Sequence, residues 1–385
     1  MLRSLLLSLA LVAAPSLASA QSSVMAGLIA KAEAAVAQAA PSGPVTTACG
    51  GLQAALAKAK GGETLALPAG ACNITSTIVA NPASVVTITS ADPTHPAVIT
   101  YTGGAGSFLS NSSNMAFSQV EMSIIGNPDK IYGFRMYNDK NISFDRFDVH
   151  GDPAVAPGSQ ATAFYIVPAS GISFTNGKFH DMSLGISGGS IAGLTMTGNE
   201  FYNLSKGGIA IGQVGPFSFT HNNCHDFHIT PLVHADCMQL FTAGSTVQSH
   251  DITVTDNILN RGGGDGFQGI FIGDEADLGY LNVTVSRNLS SGNMWDTFYI
   301  DEPVGTLVVT DNYGASWIGN SPEGGAGSVT DYRSWLTIYK PLHGTLTSVT
   351  IRNNGVQAYT GTYFPVNVAP ASNFLLGPVS PIPAS

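Results

Sequence analysis

Three segments of this sequence repeat one arrangement of reactive groups. Asp236-Cys237-Met238-Gln239 and Asp265-Gly266-Phe267-Gln268 both read Asp-x-apolar-Gln, and Asp296-Thr297-Phe298-Tyr299 keeps the pattern with tyrosine in the last place. The aspartates stand 29 and 31 residues apart. If the copies stack as rungs of parallel strands, equivalent residues lie about 4.8 Å apart. Asp236, Asp265 and Asp296 then form one row. Period-two alternation puts Met238, Phe267 and Phe298 inside and Gln239, Gln268 and Tyr299 outside. Stacked carboxylates repel, so one would retain a proton or a cation would sit among them. Asp265, in the middle, is expected to be the most perturbed. The plainer use of the same residues is to cap turns by accepting backbone N–H bonds.

Other groups of matching chemistry lie near this row. His234 precedes the first aspartate by two residues and is the residue type suited to acid–base work near neutral pH. Lys206, Arg261 and Lys340 could hold a substrate carboxylate, and the outward amides of Gln239 and Gln268 are suited to hydrogen-bonding substrate hydroxyls. Asp301 follows Tyr299 and offers a further carboxyl group. Asp274 lies in the acidic stretch Asp274-Glu275-Ala276-Asp277; with Asp236 and Asp265 it makes up a candidate oxygen-ligand set for Ca²⁺. His221, His225 and His228 cluster just before His234, at spacings that only weakly resemble metal ligands. The catalytic set expected from the sequence is His234, Asp236, Asp265, Asp296 and Tyr299.

Short strands and many turns must position these groups. Only 10% of the 385 residues are charged, 44 are Gly, and the net charge is −10. Disorder would need more charge and less apolar content. A helical bundle would need more Lys, Glu and Arg, and nucleic-acid binding would need a basic surplus. Segments such as 141–150, 171–181, 193–204, 217–227, 251–260, 282–291 and 348–355 each pair an alternating strand with a turn and a second short strand. Asn199, Asn222, Asn257, Asn288, Asn312 and Asn353 recur at that turn, where side-chain ladders and left-handed backbone are expected. Such units cannot bury a face alone and must stack. An amphipathic stretch from Leu52 to Lys60, followed by glycines and an alternating strand, would cap the open end.

Residues 1–20 read as a signal peptide, with Arg3, an apolar run from Leu5 to Ala14, and Ala18-Ser19-Ala20 before the cut. A helical segment is expected over 21–48, the solenoid over 49–360, and a Pro- and Ala-rich tail over 361–385. No other stretch approaches a membrane span. The reading is therefore of a secreted or periplasmic protein, with a monomer expected. Four cysteines in an exported chain favour disulfides, and the sequence gaps favour Cys49–Cys72 and Cys224–Cys237.

The strand–Asn–strand repeat and the helix–Gly–strand cap resemble the right-handed parallel β-helix, or pectate-lyase-like, superfamily. The resemblance implies an all-β solenoid with a short N-terminal helical cap and a polysaccharide substrate. It implies lyase action on a uronate-containing chain, with glycoside hydrolysis by paired aspartates or non-catalytic glycan binding as alternatives. The Gly-His-Gly and adjacent Asp pair of polygalacturonase-type hydrolases are missing, as is the pectate-lyase strand motif ending in Asp-His. His234 to Leu240 is loosely similar to the polar-rich strand of some alginate- and chondroitin-type lyases.

Overall fold

The computed structural model describes residues 44–376 apart from 105, 128, 232, 294–295, 317–332 and 364–371. The expected signal peptide, most of the expected N-terminal helical segment and most of the tail lie outside the described residues. No described helix is long and apolar enough to cross a membrane.

Every strand pairing among the described residues is parallel, and partners come from successive coils. One face is a sheet of twelve strands running from Val45–Thr46 to Leu346–Arg352. In the central coils the chain bends after each of these strands into a strand of a second face, such as Asn223–His225, and then into a third face, such as Asp236–Leu240. At two coils the second and third faces are crossed by one long strand, Lys178–Gly188 and Glu200–Ile211. The all-β solenoid expected from the repeats is the fold observed.

The interior is built from like residues in register. Phe117, Phe144 and Phe174 occupy one position in three successive coils, with ring centroids 5.1 and 4.9 Å apart and planes within 12°. Offset stacking of this kind adds to the burial of large apolar area. At the N-terminal end, the helix Leu52–Leu56 buries both leucines against the first coils, beside the Cys49–Cys72 disulfide. The second expected bond, Cys224–Cys237, ties a second-face strand to the third-face strand that follows it.

The asparagine ladder sits at the bend from the first face to the second. It runs Asn199, Asn222, Asn257, Asn288, Asn312, Asn354 and Asn373. Asn354, not Asn353, is the member in the sixth coil. The left-handed residues are the ones before the ladder: Gly198, His221, Asp256, Arg287, Asp311 and Asn353, with φ between 55° and 69°. Their conformation turns the following asparagine inward, where its amide is buried. Asn373 belongs to the last described rung, in which Phe374–Leu375 pairs with Gly355–Val356.

A second ladder runs outside. His150, His180, Tyr202 and His225 stack in one column of the second face, at centroid distances of 5.6, 4.6 and 5.4 Å. Both nitrogens of His180 meet carboxylates, Asp148 at 2.8 Å and Asp181 at 2.6 Å. Burial pulls the His180 pKa down, but these two partners outweigh it and hold the pKa above its ordinary value. Burial and the charges of Asp148 and Glu200 push the Tyr202 hydroxyl up to about 12.

Two outcomes are expected. Asn257→Ala removes the acceptor for Asn222 N and the donor for Phe219 O, both buried; at about 1–3 kcal/mol for each orphaned group, urea denaturation should show a loss of about 2–6 kcal/mol. Because the His180 pKa is raised on folding, its contribution is complete below about pH 6.5 and is lost as pH rises through the folded value. The difference in melting temperature between the wild type and His180→Gln should therefore be larger at acidic than at alkaline pH.

Candidate active site

The third face carries most of the groups singled out by sequence. Asp236 pairs with Gln268, Met238 with Ile270, Gln239 with Phe271 and Leu240 with Ile272. One coil on, Ile270 pairs with Phe298 and Phe271 with Tyr299; the next pairs Tyr299 with Thr337. Met238, Ile270, Phe298 and Leu336 thus form the inward stack, all fully buried. The outward column is Gln239, Phe271, Tyr299 and Thr337.

The second copy therefore sits three residues away from the expected register. Gln268 takes the slot assigned to Asp265, and Ile270 replaces Phe267 in the core. The reason is packing: Gln268–Ile272 offers Ile270 and Ile272 to the interior at alternate positions. Phe267 stacks on Phe227 at 4.4 Å in the preceding turn. Asp265 stays in that turn, where its N–H donates to Phe227 O and its carboxylate accepts from Ile229 N at 2.7 Å. It caps a turn and is not the centre of a carboxylate row. Asp236 and Asp296 remain two rungs apart, about 9–10 Å along the axis, with the Gln268 amide between them.

The row is anchored by a dyad. His234 Nδ1 lies 3.0 Å from Asp236 Oδ2; the histidine side chain is 40% exposed and the aspartate 2%. The Asp236 hydrogen bond raises the His234 pKa, against a smaller opposing effect of burial. Burial raises the Asp236 pKa, and His234 opposes that rise. The pair shares one proton. We place it on Nδ1, donated to an ionised Asp236, because the half-exposed ring is the more basic partner. That arrangement leaves Nε2 as an acceptor, and it makes no hydrogen bond among the described residues.

Rings extend from the dyad along the column. His234 meets Phe271 edge-on at 5.2 Å, Phe271 stacks on Tyr299 at 4.4 Å and 6°, and Tyr299 meets Tyr339 at 5.8 Å. The Tyr299 hydroxyl donates to Asp301 Oδ2 at 3.4 Å. Burial, reinforced by the Asp301 charge, holds the Tyr299 hydroxyl well above its ordinary pKa. Burial also pushes Asp296 up to about 6, opposed by the Thr337 hydroxyl and assisted by the Asp236 charge. Asp301 is raised to about 6 by burial, with the Glu302 and Asp274 charges adding to the rise. Phe271 and Tyr339 were not among the expected site residues. Reading Ile270-Phe271-Ile272 as an alternating strand would have found the first.

The remaining candidates divide. Lys206 is exposed and precedes Gly207, the rung partner of Asp236, so it lies one coil from the dyad. Gln239 is half-buried in the outward column between Ala210 and Phe271. Lys340 is exposed directly after Tyr339. Arg261 stands in the turn after Ile258–Asn260, off the column, where its Nε donates to Gly264 O at 2.9 Å.

The proposed Ca²⁺ ligands do not fit a cation. Asp274 is buried and accepts from the Thr242 hydroxyl at 2.7 Å and from Leu278 N at 3.1 Å. Asp265 is committed to Ile229 N and Asp236 to His234. The three belong to different local networks, and no group of three His, Cys, Asp or Glu among the described residues converges on a metal position.

Residues 132–321 match the family described as right handed beta helix region. The fold is a right-handed parallel β-helix. No curated protein sequence matches the chain. Among solved structures, this β-helix is similar to the A-module of the Azotobacter vinelandii mannuronan C-5 epimerase AlgE6, at 14% identity and TM-score 0.47, over 91% of this chain and 99% of that one. It is similar to alginate lyase AlyF-OU02, solved in complex with G6, at 13% identity and TM-score 0.45, over 82% and 70% of the two chains. Pectate lyase Pel9A matches at 14% identity and TM-score 0.40, over 82% and 81%. These are likenesses of fold.

The dyad can be tested without a substrate. Asp236→Asn keeps an acceptor for Nδ1–H but removes the charge, so the His234 pKa should fall when followed by NMR of the ring protons. An unchanged titration would show that Asp236 does not govern His234.

Proposed function

We propose that the protein is an exported lyase that cleaves a uronate-containing polysaccharide by β-elimination in the groove along the third face. The observation that carries this reading is a buried aspartate holding an exposed histidine with its outer nitrogen free to accept a proton. That is the equipment for abstracting a proton from carbon.

In the proposed reaction, His234 Nε2 removes the proton α to the uronate carboxylate. The electron pair left on that carbon forms the new C=C bond as the bond to the leaving glycosidic oxygen breaks. The Tyr299 hydroxyl, two ring contacts away along the column, gives its proton to that oxygen. Phe271 and Tyr339 offer apolar surface to sugar rings, and Gln239 offers an amide to hydroxyls. Proton loss next to a carboxylate requires that carboxylate's charge to be offset. Lys206 supplies a cation one coil from the dyad. Export is supported by the leader-like residues 1–20 and by the two disulfides.

Hydrolysis by two carboxylates is less well supported. Asp236 and Asp296 are suitably separated, but Asp236 is almost fully covered and occupied by His234.

Incubation with acidic polysaccharides should release products with the ultraviolet absorbance of an unsaturated uronate end. Reducing sugar without that absorbance would indicate hydrolysis, and binding without either product would indicate a glycan-binding protein. His234→Gln should lower kcat by about 10²–10⁴-fold, the range for losing an acid–base group. Because the base must be unprotonated and its pKa is raised, activity should climb as pH passes through a value above 6.5. Asp296→Asn removes one of the charges that raise that value, so the climb should move to lower pH.

A further inference from the structure

The outward column does not end at Gln239. It continues through Ala210 and Ser187 to Tyr165. At that end a cavity of about 250 Å³ opens beside the third face, and Tyr165, Ser187, Gln213 and Phe241 are among its lining residues. This volume is below the usual range for drug-sized ligands and suits a single sugar ring.

The lining differs in kind from the groove around His234. It includes no charged side chain, whereas the other end holds Asp236, Asp296 and Asp301. Gly188, Gly189, Gly212 and Gly244 are among its lining residues, so that part of the wall carries no side chain. Gly188 is also required by packing, since a Cβ there would fall 2.1 Å from Ile166 O. Tyr165 and Phe241 stand at the rim, both half-buried. The Tyr165 ring is held in place by stacking on Tyr132 at 4.4 Å. Ser245 Oγ accepts from Gln213 N at 3.4 Å; the side chains of Ser187 and Gln213 make no hydrogen bond among the described residues and can bond a ligand.

We propose that this cavity binds an uncharged pyranose unit of the glycan, remote from the reacting uronate. A neutral sugar needs what the cavity has: aromatic rings, hydroxyl and amide partners, and a stretch of wall without side chains. A uronate carboxylate or a bound cation would need a charged partner, which the cavity lacks. Ser187 lies four rungs from Tyr299 in the column, about 19 Å at 4.8 Å per rung. A chain touching both ends spans several sugar units, so the substrate class is a mixed acidic and neutral polysaccharide held along the axis. This rests on the reading of the third face as a glycan groove, but its test needs no turnover.

The probes are neutral hexasaccharides of the cello, manno and galacto series, titrated into the full chain by calorimetry. One series should bind, and Phe241→Ala should weaken that binding about tenfold, the equivalent of one aromatic contact of about 1.4 kcal/mol. Phe241→Tyr should restore it, and His234→Gln should leave it unchanged while lowering kcat on the acidic polysaccharide by about 10²–10⁴-fold. Failure of all three series to bind the wild type, or equal binding by Phe241→Ala, would overturn the proposal. So would binding of oligouronates in place of neutral probes with the same dependence on Phe241. Loss of elimination activity with neutral binding intact would instead count against the lyase reading alone.

Discussion

Parallel hydrogen bonding between successive coils fixes the rung spacing at about 4.8 Å, and everything else in this protein answers to that spacing. A residue at one position in a coil must sit against the residue at the same position in the next. Amides gain from this, because each can donate to one neighbour and accept from the other. The ladder from Asn199 to Asn373 uses both capacities, with donor–acceptor distances between neighbouring side chains of 2.8 to 3.1 Å. Flat rings gain as well, as Phe144 and Phe174 show with planes 6° apart. Carboxylates lose, since like charges at that distance repel with little water between them.

The same rule shapes both polar columns. On the second face, acids alternate in space with imidazoles, so Asp148 and Asp181 each meet His180. On the third face, Gln268 separates Asp236 from Asp296. The two histidine environments then differ in one decisive respect. His180 has both nitrogens occupied, which staples neighbouring strands together. His234 has one nitrogen on Asp236, and the other makes no hydrogen bond among the described residues. The two imidazoles thus differ in the number of carboxylates that they meet.

Burial explains why carboxyl groups with modest neighbours are displaced. Asp296 and Asp301 are both held near 6 mainly because the surrounding rings exclude water. A chain with 10% charged residues has few cations to offset them. The cavity beside the far end of the column avoids the problem, since no residue that lines it is charged.

Much of the architecture was legible in the sequence. The repeated alternation of β-branched residues, the recurring asparagine and the scarcity of charge were enough to require a stack of coils, since each unit has an apolar face that only another unit can cover. The disulfide pairs followed from short separations, and the nearness of His234 to Asp236 follows from two residues of chain. Register was not legible. Asp265 and Asp236 share a local motif, yet a shift of three residues puts Ile270 in the core and sends Asp265 to a turn. Asn353 and Asn354 were likewise ambiguous, because two adjacent asparagines satisfy one pattern and only the left-handed backbone at Asn353 decides which points inward. Local spacing determines which groups can meet; which of them do meet is decided by the side chains that fill the interior, because a one-residue slip in a strand exchanges its buried and exposed faces.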